Sequence, residues 1–366
     1  MRRLAIILAL LLCVPCWGVL TEVVRYVDPD VAVSGDGTTW GTAYSKIHTW
    51  DANEATDLVS ADQYMTVYCR SSAGTNDGTA TDFILSLNDW TTDATRDITI
   101  IGSDNTPGTW DGTKYVIAAR TTGSASVKIA CSNVTLRNIQ MLATVTAVGK
   151  THYGLAVEHA STDINNILIE DCFIKLDAST APVTTTYTGL YSGLHNKGTT
   201  CRNTIFWDDS ACTWQLSGAV TNWNDVNTLI DFYNCTFYGG YATGIRERYG
   251  TINCYNVIMR GVDDEFRDGP NVYNCLSNDG DGSNPQTPLN GDWDNEFTDA
   301  NNGDFTLVVG GNAINNGTDN PGSGLYLDDI TGGLRTSTWD IGAFEYGAGG
   351  ADSSIPNWWW RRRHNN

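Results

Sequence analysis

Apolar and polar residues alternate over short runs along most of the chain. Six of these runs share one pattern: an apolar residue, a variable residue, Asn or Asp, then alternating apolar positions. They read Leu136-Arg137-Asn138-Ile139-Gln140-Met141, Ile169-Glu170-Asp171-Cys172-Phe173-Ile174 and Cys201-Arg202-Asn203-Thr204-Ile205-Phe206. Phe232-Tyr233-Asn234-Cys235-Thr236-Phe237, Cys254-Tyr255-Asn256-Val257-Ile258-Met259 and Val272-Tyr273-Asn274-Cys275-Leu276-Ser277 follow. The Asn/Asp positions lie 33, 32, 31, 22 and 18 residues apart. A strand motif that recurs while the repeat length varies predicts a solenoid with loops of different sizes.

Side chains alternate along a strand, so the repeat assigns each column a face. Asn tolerates the left-handed backbone, which places the Asn column at a bend and predicts an internal amide ladder of Asn138, Asp171, Asn203, Asn234, Asn256 and Asn274. The column one before it (Arg137, Glu170, Arg202, Tyr233, Tyr255, Tyr273) faces outward. So does the column four after it (Leu142, Lys175, Trp207, Tyr238, Arg260, Asn278). Between them, Phe173, Ile205, Thr236, Ile258 and Leu276 form an outward apolar stripe, which calls for a covering loop, the C-terminal tail or a contact partner.

The flanks of the repeats differ from them. Tyr44, Ile47, Ala55, Leu58 and Val59 give residues 43–61 a helical pattern, suited to capping the open first layer. Strand-like runs at 65–69, 83–87, 98–101, 115–118 and 127–130 lack the Asn motif. From about residue 280 the pattern weakens, with one more strand at 305–309. At the N-terminus, Met1-Arg2-Arg3 and the apolar run Leu4 to Val14 read as a signal peptide ending near Gly18. No other apolar run is long enough to span a membrane. The chain therefore divides into a signal peptide (1–18), a lead-in and cap (19–62), the coils (63–286), terminal coils with a closing motif (287–350) and a linker with a Trp/Arg tail (351–366).

Charge and cysteine narrow the picture. The chain carries 22 Lys and Arg against 42 Asp and Glu, a net −20, which repels nucleic acid and polyanions that lack a local basic patch or bridging cations. Disulfides are the default for an exported chain. Yet Cys172, Cys235 and Cys275 share one column on alternate repeats, as do Cys201 and Cys254. At about 4.8 Å per layer such neighbours sit about 9.6 Å apart, beyond the roughly 7 Å that a disulfide spans. These five read as buried thiols; Cys69, Cys131 and Cys212 are left unplaced.

The repeats resemble those of right-handed parallel β-helix proteins, the pectate-lyase-like superfamily. Tyr26-Val27-Asp28, Gly35-Asp36-Gly37, Trp40, Ala43-Tyr44 and the ending Asp340 to Tyr346 are similar to exported bacterial members with a choice-of-anchor C-terminal region. The resemblance implies an all-β, single-stranded right-handed parallel β-helix of roughly ten coils with a helical N-terminal cap. It carries over no catalytic residue, and the Gly-His-Gly and Arg-x-Lys signatures of the polygalacturonase branch are missing.

Two surfaces offer candidate chemistry. Arg246, Glu247, Arg248, Asp263, Asp264, Glu265 and Arg267 provide acids and bases on neighbouring layers, the residue types by which β-helix glycosidases and lyases work. Lys175, Trp207, Asp208, Asp209, Tyr233, Tyr238, Tyr255, Arg260 and Tyr273 supply the aromatic faces and polar groups that hold a sugar. Asp279-Gly280-Asp281-Gly282-Ser283-Asn284 resembles the start of a calcium loop, but no Glu closes it, so it reads first as an acidic turn, with weak calcium binding as the alternative. The leading expectation is a secreted or cell-surface protein binding a polysaccharide or another cell-surface component, and not nucleic acid. The alternatives are a lyase or glycosidase acting on an acidic polysaccharide, and a structural rod.

Overall fold

The computed structural model describes residues 19–347, apart from 80–84, 122–124, 146–150, 178–185, 209–213, 223–225, 262–263, 320, 322–326 and 336–337. Residues 1–18, expected as a signal peptide, Cys212 and the 351–366 tail lie outside the described residues. Three parallel sheets carry the fold, one of nine strands and two of seven. In a typical coil the chain runs through Ile167–Glu170, Phe173–Asp177 and Thr186–Ser192, one strand per sheet, and then enters the next coil at Thr199–Arg202. Within the three sheets, strands pair in parallel from one coil to the next: Ile169 with Cys201, Ile174 with Phe206, Leu190 with Val220. The result is a right-handed parallel β-helix, the hand that parallel crossovers adopt.

The Asn column is the corner between the first two strands of each coil. All six of its members are left-handed, with φ of 52°, 54°, 46°, 52°, 53° and 51° from Asn138 to Asn274, which suits Asn and Asp better than other side-chain-bearing residues. The expected internal ladder is only partly so. Asn256 Nδ2 donates to Asn234 Oδ1 at 2.9 Å and Asn203 Nδ2 to Asp171 Oδ1 at 3.4 Å. The same amides also reach outward, Asn203 to the carbonyl of Asp328, Asn256 to that of Thr318 and Asn274 to that of Asn316. The corner is thus also the seam on which the C-terminal region docks.

Inside the coils lies one continuous apolar core. Cys172, Cys201, Cys235, Cys254 and Cys275 are fully buried in it as free thiols, and Cys69 and Cys131 are free and buried as well. Loss of solvation pushes Cys235 and Cys275 up to about 12, so they pack as small hydrophobes. At the N-terminal end, the helices Ile47–Glu54 and Leu58–Ala61 bury Ile47, Trp50 and Leu58 over the first coils, and Trp50 stacks on Trp90 at 5.4 Å. The first helix starts later than the pattern suggests, because Tyr44 pairs with Val27 as strand.

Residues 287–345 do not add terminal coils. Short 3-10 turns, an antiparallel pair (Phe297–Asp299 with Asp304–Leu307) and long loops lie against the outside of one seven-stranded sheet. They form a second apolar core with the outward stripe: Phe173, Ile205, Ile258 and Leu276 pack with Trp293, Phe297, Phe305, Ile330, Ile341 and Phe344. Thr236 of the stripe receives the Ala343 N–H at 3.1 Å.

Candidate functional site

The cover closes one of the two expected surfaces. Trp207 and Tyr238 are 4% and 3% exposed. Phe305 packs against both, and Trp293 and Phe297 pack on Tyr238. Neither ring has a face to offer a sugar, so the sequence expectation for these two residues does not hold. Their cationic neighbours serve the same packing. Lys175 Nζ sits 4.0 Å from the Trp207 ring and 5.4 Å from that of Trp110, and the Arg260 guanidinium lies 4.3 Å from Tyr238, favourable placements over negative ring faces. Asp208 is buried beside them and Asp209 lies outside the described residues.

The other expected column lies on the outer face of the nine-stranded sheet. Parallel register aligns Tyr26, Tyr68, Ile101, Arg137, Glu170, Arg202, Tyr233, Tyr255 and Tyr273 in one column. Its middle is an ion-pair triad: the Glu170 carboxylate, fully buried, accepts from Arg137 on one oxygen and from Arg202 on the other. Two arginines share one carboxylate, so the triad carries one net positive charge. At the C-terminal end Tyr233, Tyr255 and Tyr273 stack at 5.3 Å and 4.9 Å with rings within 10° of parallel. Burial pushes Tyr233 up to about 12, so its hydroxyl keeps its proton at neutral pH.

Two residues earlier on the same strands runs a polar column. Asn271 Nδ2 donates to Asn253 Oδ1 at 2.9 Å, and Asn253 Nδ2 donates to Asp231 Oδ1 at 2.7 Å. Sequence reading found the tyrosines and missed this partner column, although the i, i+2 spacing from Tyr233, Tyr255 and Tyr273 carries it. It also missed Tyr26 and Tyr68. Their strands lack the Asn corner that sets the register, and only the alternation in Tyr64 to Cys69 could have placed them.

The charged loop cluster divides into separate contacts. Arg246 Nε donates to Asp268 Oδ2 at 2.6 Å. A Glu247 oxygen accepts the Ile252 N–H at 2.6 Å, which holds the 247–252 turn together. Arg267 pairs in register with Arg246 at that end of the strand Asp264–Arg267, whereas Glu265 is buried and engages the other side. One of its oxygens accepts from Asn278 Nδ2 at 2.7 Å and from the Gly261 N–H at 3.3 Å. Burial, with the charge of Asp279 added, pushes Glu265 up to about 6. Arg246 and Glu265 therefore bond to different partners. Arg248 sits half-buried in the turn, and Asp263 lies outside the described residues.

Asp264 meets partners that its strand alone does not reveal. Carboxylate oxygens of Asp264, Asp279 and Asp281 lie within 4.8 Å of one another. They are hard oxygen donors of the kind calcium takes, with two of the three supplied by the loop that resembles the start of a calcium motif.

Among solved structures, the chain is similar to pectate lyase Pel9A, at 12% identity over 90% of this chain and 97% of that one, with a TM-score of 0.33. No family model and no curated protein sequence matches the chain.

Proposed function

We propose that this chain is an exported β-helix protein that binds a neutral polysaccharide on the outer face of its nine-stranded sheet. One observation carries the reading. On the face that the C-terminal region leaves open, the Tyr233–Tyr255–Tyr273 stack runs in register beside the Asp231–Asn253–Asn271 column. Phenol edges, hydroxyls and amides in line along the rod match the alternating C–H and O–H surface of a sugar chain. The net charge of −20 favours a neutral chain over an anionic one and outweighs the single net positive charge of the Arg137–Glu170–Arg202 triad. Export rests on Arg2, Arg3 and the apolar run after them.

Incubating the full mature chain with neutral and acidic polysaccharides tests the reading. Binding to a neutral polymer, weakened by Tyr255→Thr, with no new reducing or unsaturated ends, is the expected result. Release of products would replace it with the enzyme reading, which the Asp264–Asp279–Asp281 cluster favours. The same incubation of acidic polymer with calcium decides between them.

A further inference from the structure

The tyrosine stack is not uniform, and its asymmetry identifies where a sugar ring can lie flat. Near-parallel rings about 5 Å apart cover one another's faces, so Tyr255 shows solvent little beyond its edge and hydroxyl. Tyr233 loses one face to Tyr255 in the same way. Among the described residues Tyr273 is the last ring, 37% exposed, with Tyr255 on one side only. On its other side the backbone continues, since Tyr273 bridges to Ser283 and the Ser283 carbonyl accepts the Asn274 N–H at 2.9 Å. The position where another ring would continue the stack holds a serine. One aromatic face is thereby left open at the C-terminal end of the rod.

The polar column has a matching direction. Both amide bonds donate toward Asp231: Asn271 to Asn253, and Asn253 to the carboxylate. The series leaves Asn271, which is exposed, with its carbonyl oxygen as the terminal acceptor. An acceptor two residues from an open aromatic face, about 6.6 Å along the strand, suits a hydroxyl-bearing ring. Asp281, two residues before the Ser283 that bridges to Tyr273, adds negative charge at this end and disfavours a carboxylated one.

From this we infer that Tyr273 and Asn271 form the terminal subsite of the face. One neutral hexose residue stacks on the outer face of Tyr273 and donates a hydroxyl to Asn271 Oδ1, with the rest of the polymer running along the rod toward Tyr233. The inference rests on the proposed function but fails separately from it.

The test measures affinity of the full mature chain for hydroxyethylcellulose and for polygalacturonate by affinity electrophoresis and calorimetry. Tyr273→Ala should weaken hydroxyethylcellulose binding about tenfold, the scale of a buried aromatic anchor. Tyr273→Phe should stay close to wild type, because the ring face and not the hydroxyl makes the contact. Ser283→Tyr is the decisive variant. It covers the outer face of Tyr273 and moves the last open ring one layer away from Asn271, so the paired ring and acceptor are separated and affinity should fall about tenfold. Thermal unfolding of each variant, unchanged from wild type, shows that the rod is intact. Wild-type affinity in both Tyr273→Ala and Ser283→Tyr, with Tyr255→Thr still weakened, overturns the terminal subsite and leaves the face as the binding surface. Absence of binding by the wild-type chain overturns the proposed function itself, and the subsite with it. Binding of polygalacturonate alone, dependent on calcium, overturns the neutral ligand and transfers the site to Asp264, Asp279 and Asp281.

Discussion

A single carboxyl shows how a solenoid end differs from its interior. Glu265 is buried, hydrogen-bonded to Asn278 and the Gly261 N–H, and adjacent to Asp279. Asn278 in turn accepts from Trp293 Nε1 at 2.8 Å, so the carboxyl holds the first residues of the cover. Its ordinary value of 4.5 rises to about 6 in the folded chain. The folded state then binds the proton more tightly than the unfolded one. Its stabilising effect is complete below about pH 4.5 and is lost as pH rises through about 6, a change of about 2 kcal/mol. Glu265→Gln keeps the acceptor for Asn278 and replaces a charge facing Asp279 with an amide donor. The variant should gain stability at pH 8 and show little change at pH 4.5, read by urea unfolding at both values. Equal effects at the two pH values would exclude this linkage.

At the scale of elements, the corner and the cover depend on each other. Arg335 is buried and donates to the carbonyls of Asp328, Gly342 and Ala343 and to Asn203 Oδ1 of the Asn column. Glu345 Oε2 lies 3.5 Å from it. Removing one partner of a buried, hydrogen-bonded charge costs about 3–5 kcal/mol. Arg335→Met should therefore destabilise the protein by roughly that amount, with Arg335→Lys a poor rescue, since an ammonium cannot reproduce the planar fork. Hydrogen exchange should rise first in 327–345 and leave 134–137 protected; uniform loss of protection would show that the anchor is not local. The halves of this arrangement differ in how legible they are. Left-handed corners are a local steric demand, so the repeated Asn, and with it the coil register and the buried thiol columns, can be read from sequence. The cover is non-local. Asn203 meets Arg335 across 132 residues, and loops rich in Gly and Asp carry no periodicity that names their partner. For that reason the apolar stripe was legible as an anomaly while Trp207 and Tyr238 were misassigned to solvent. Tyr233, Tyr255 and Tyr273 stack in one column of the nine-stranded sheet, a register that follows from the corner. The contacts of Arg246 and Glu265 depend on loop geometry and were not legible.

For the whole molecule, the covered and open faces set what can be bound. The cover meets Phe173, Ile205, Trp207, Tyr238, Ile258 and Leu276. Burying a large apolar side chain contributes about 1.5–3 kcal/mol, so six of them are worth on the order of 10 kcal/mol even after discounting residual burial in the unfolded chain. A domain's entire stability is of the order of 5–15 kcal/mol. Such a region is an integral wall of the fold and not a lid that a ligand could displace. A chain ending at residue 286 should consequently aggregate or bind a hydrophobic dye strongly, with an apolar stripe open along the rod. Converting Phe173, Ile205 and Ile258 to Thr, the residue that position 236 already carries, should restore solubility to the truncated chain and lower the dye signal. Recovery of a monomeric, dye-negative chain after truncation alone would mean that the stripe is covered in some other way, and Trp207 and Tyr238 would return as candidate platforms. With the wall in place, the stacked tyrosines of the nine-stranded face stay outside the covered core, and their column ends at Tyr273.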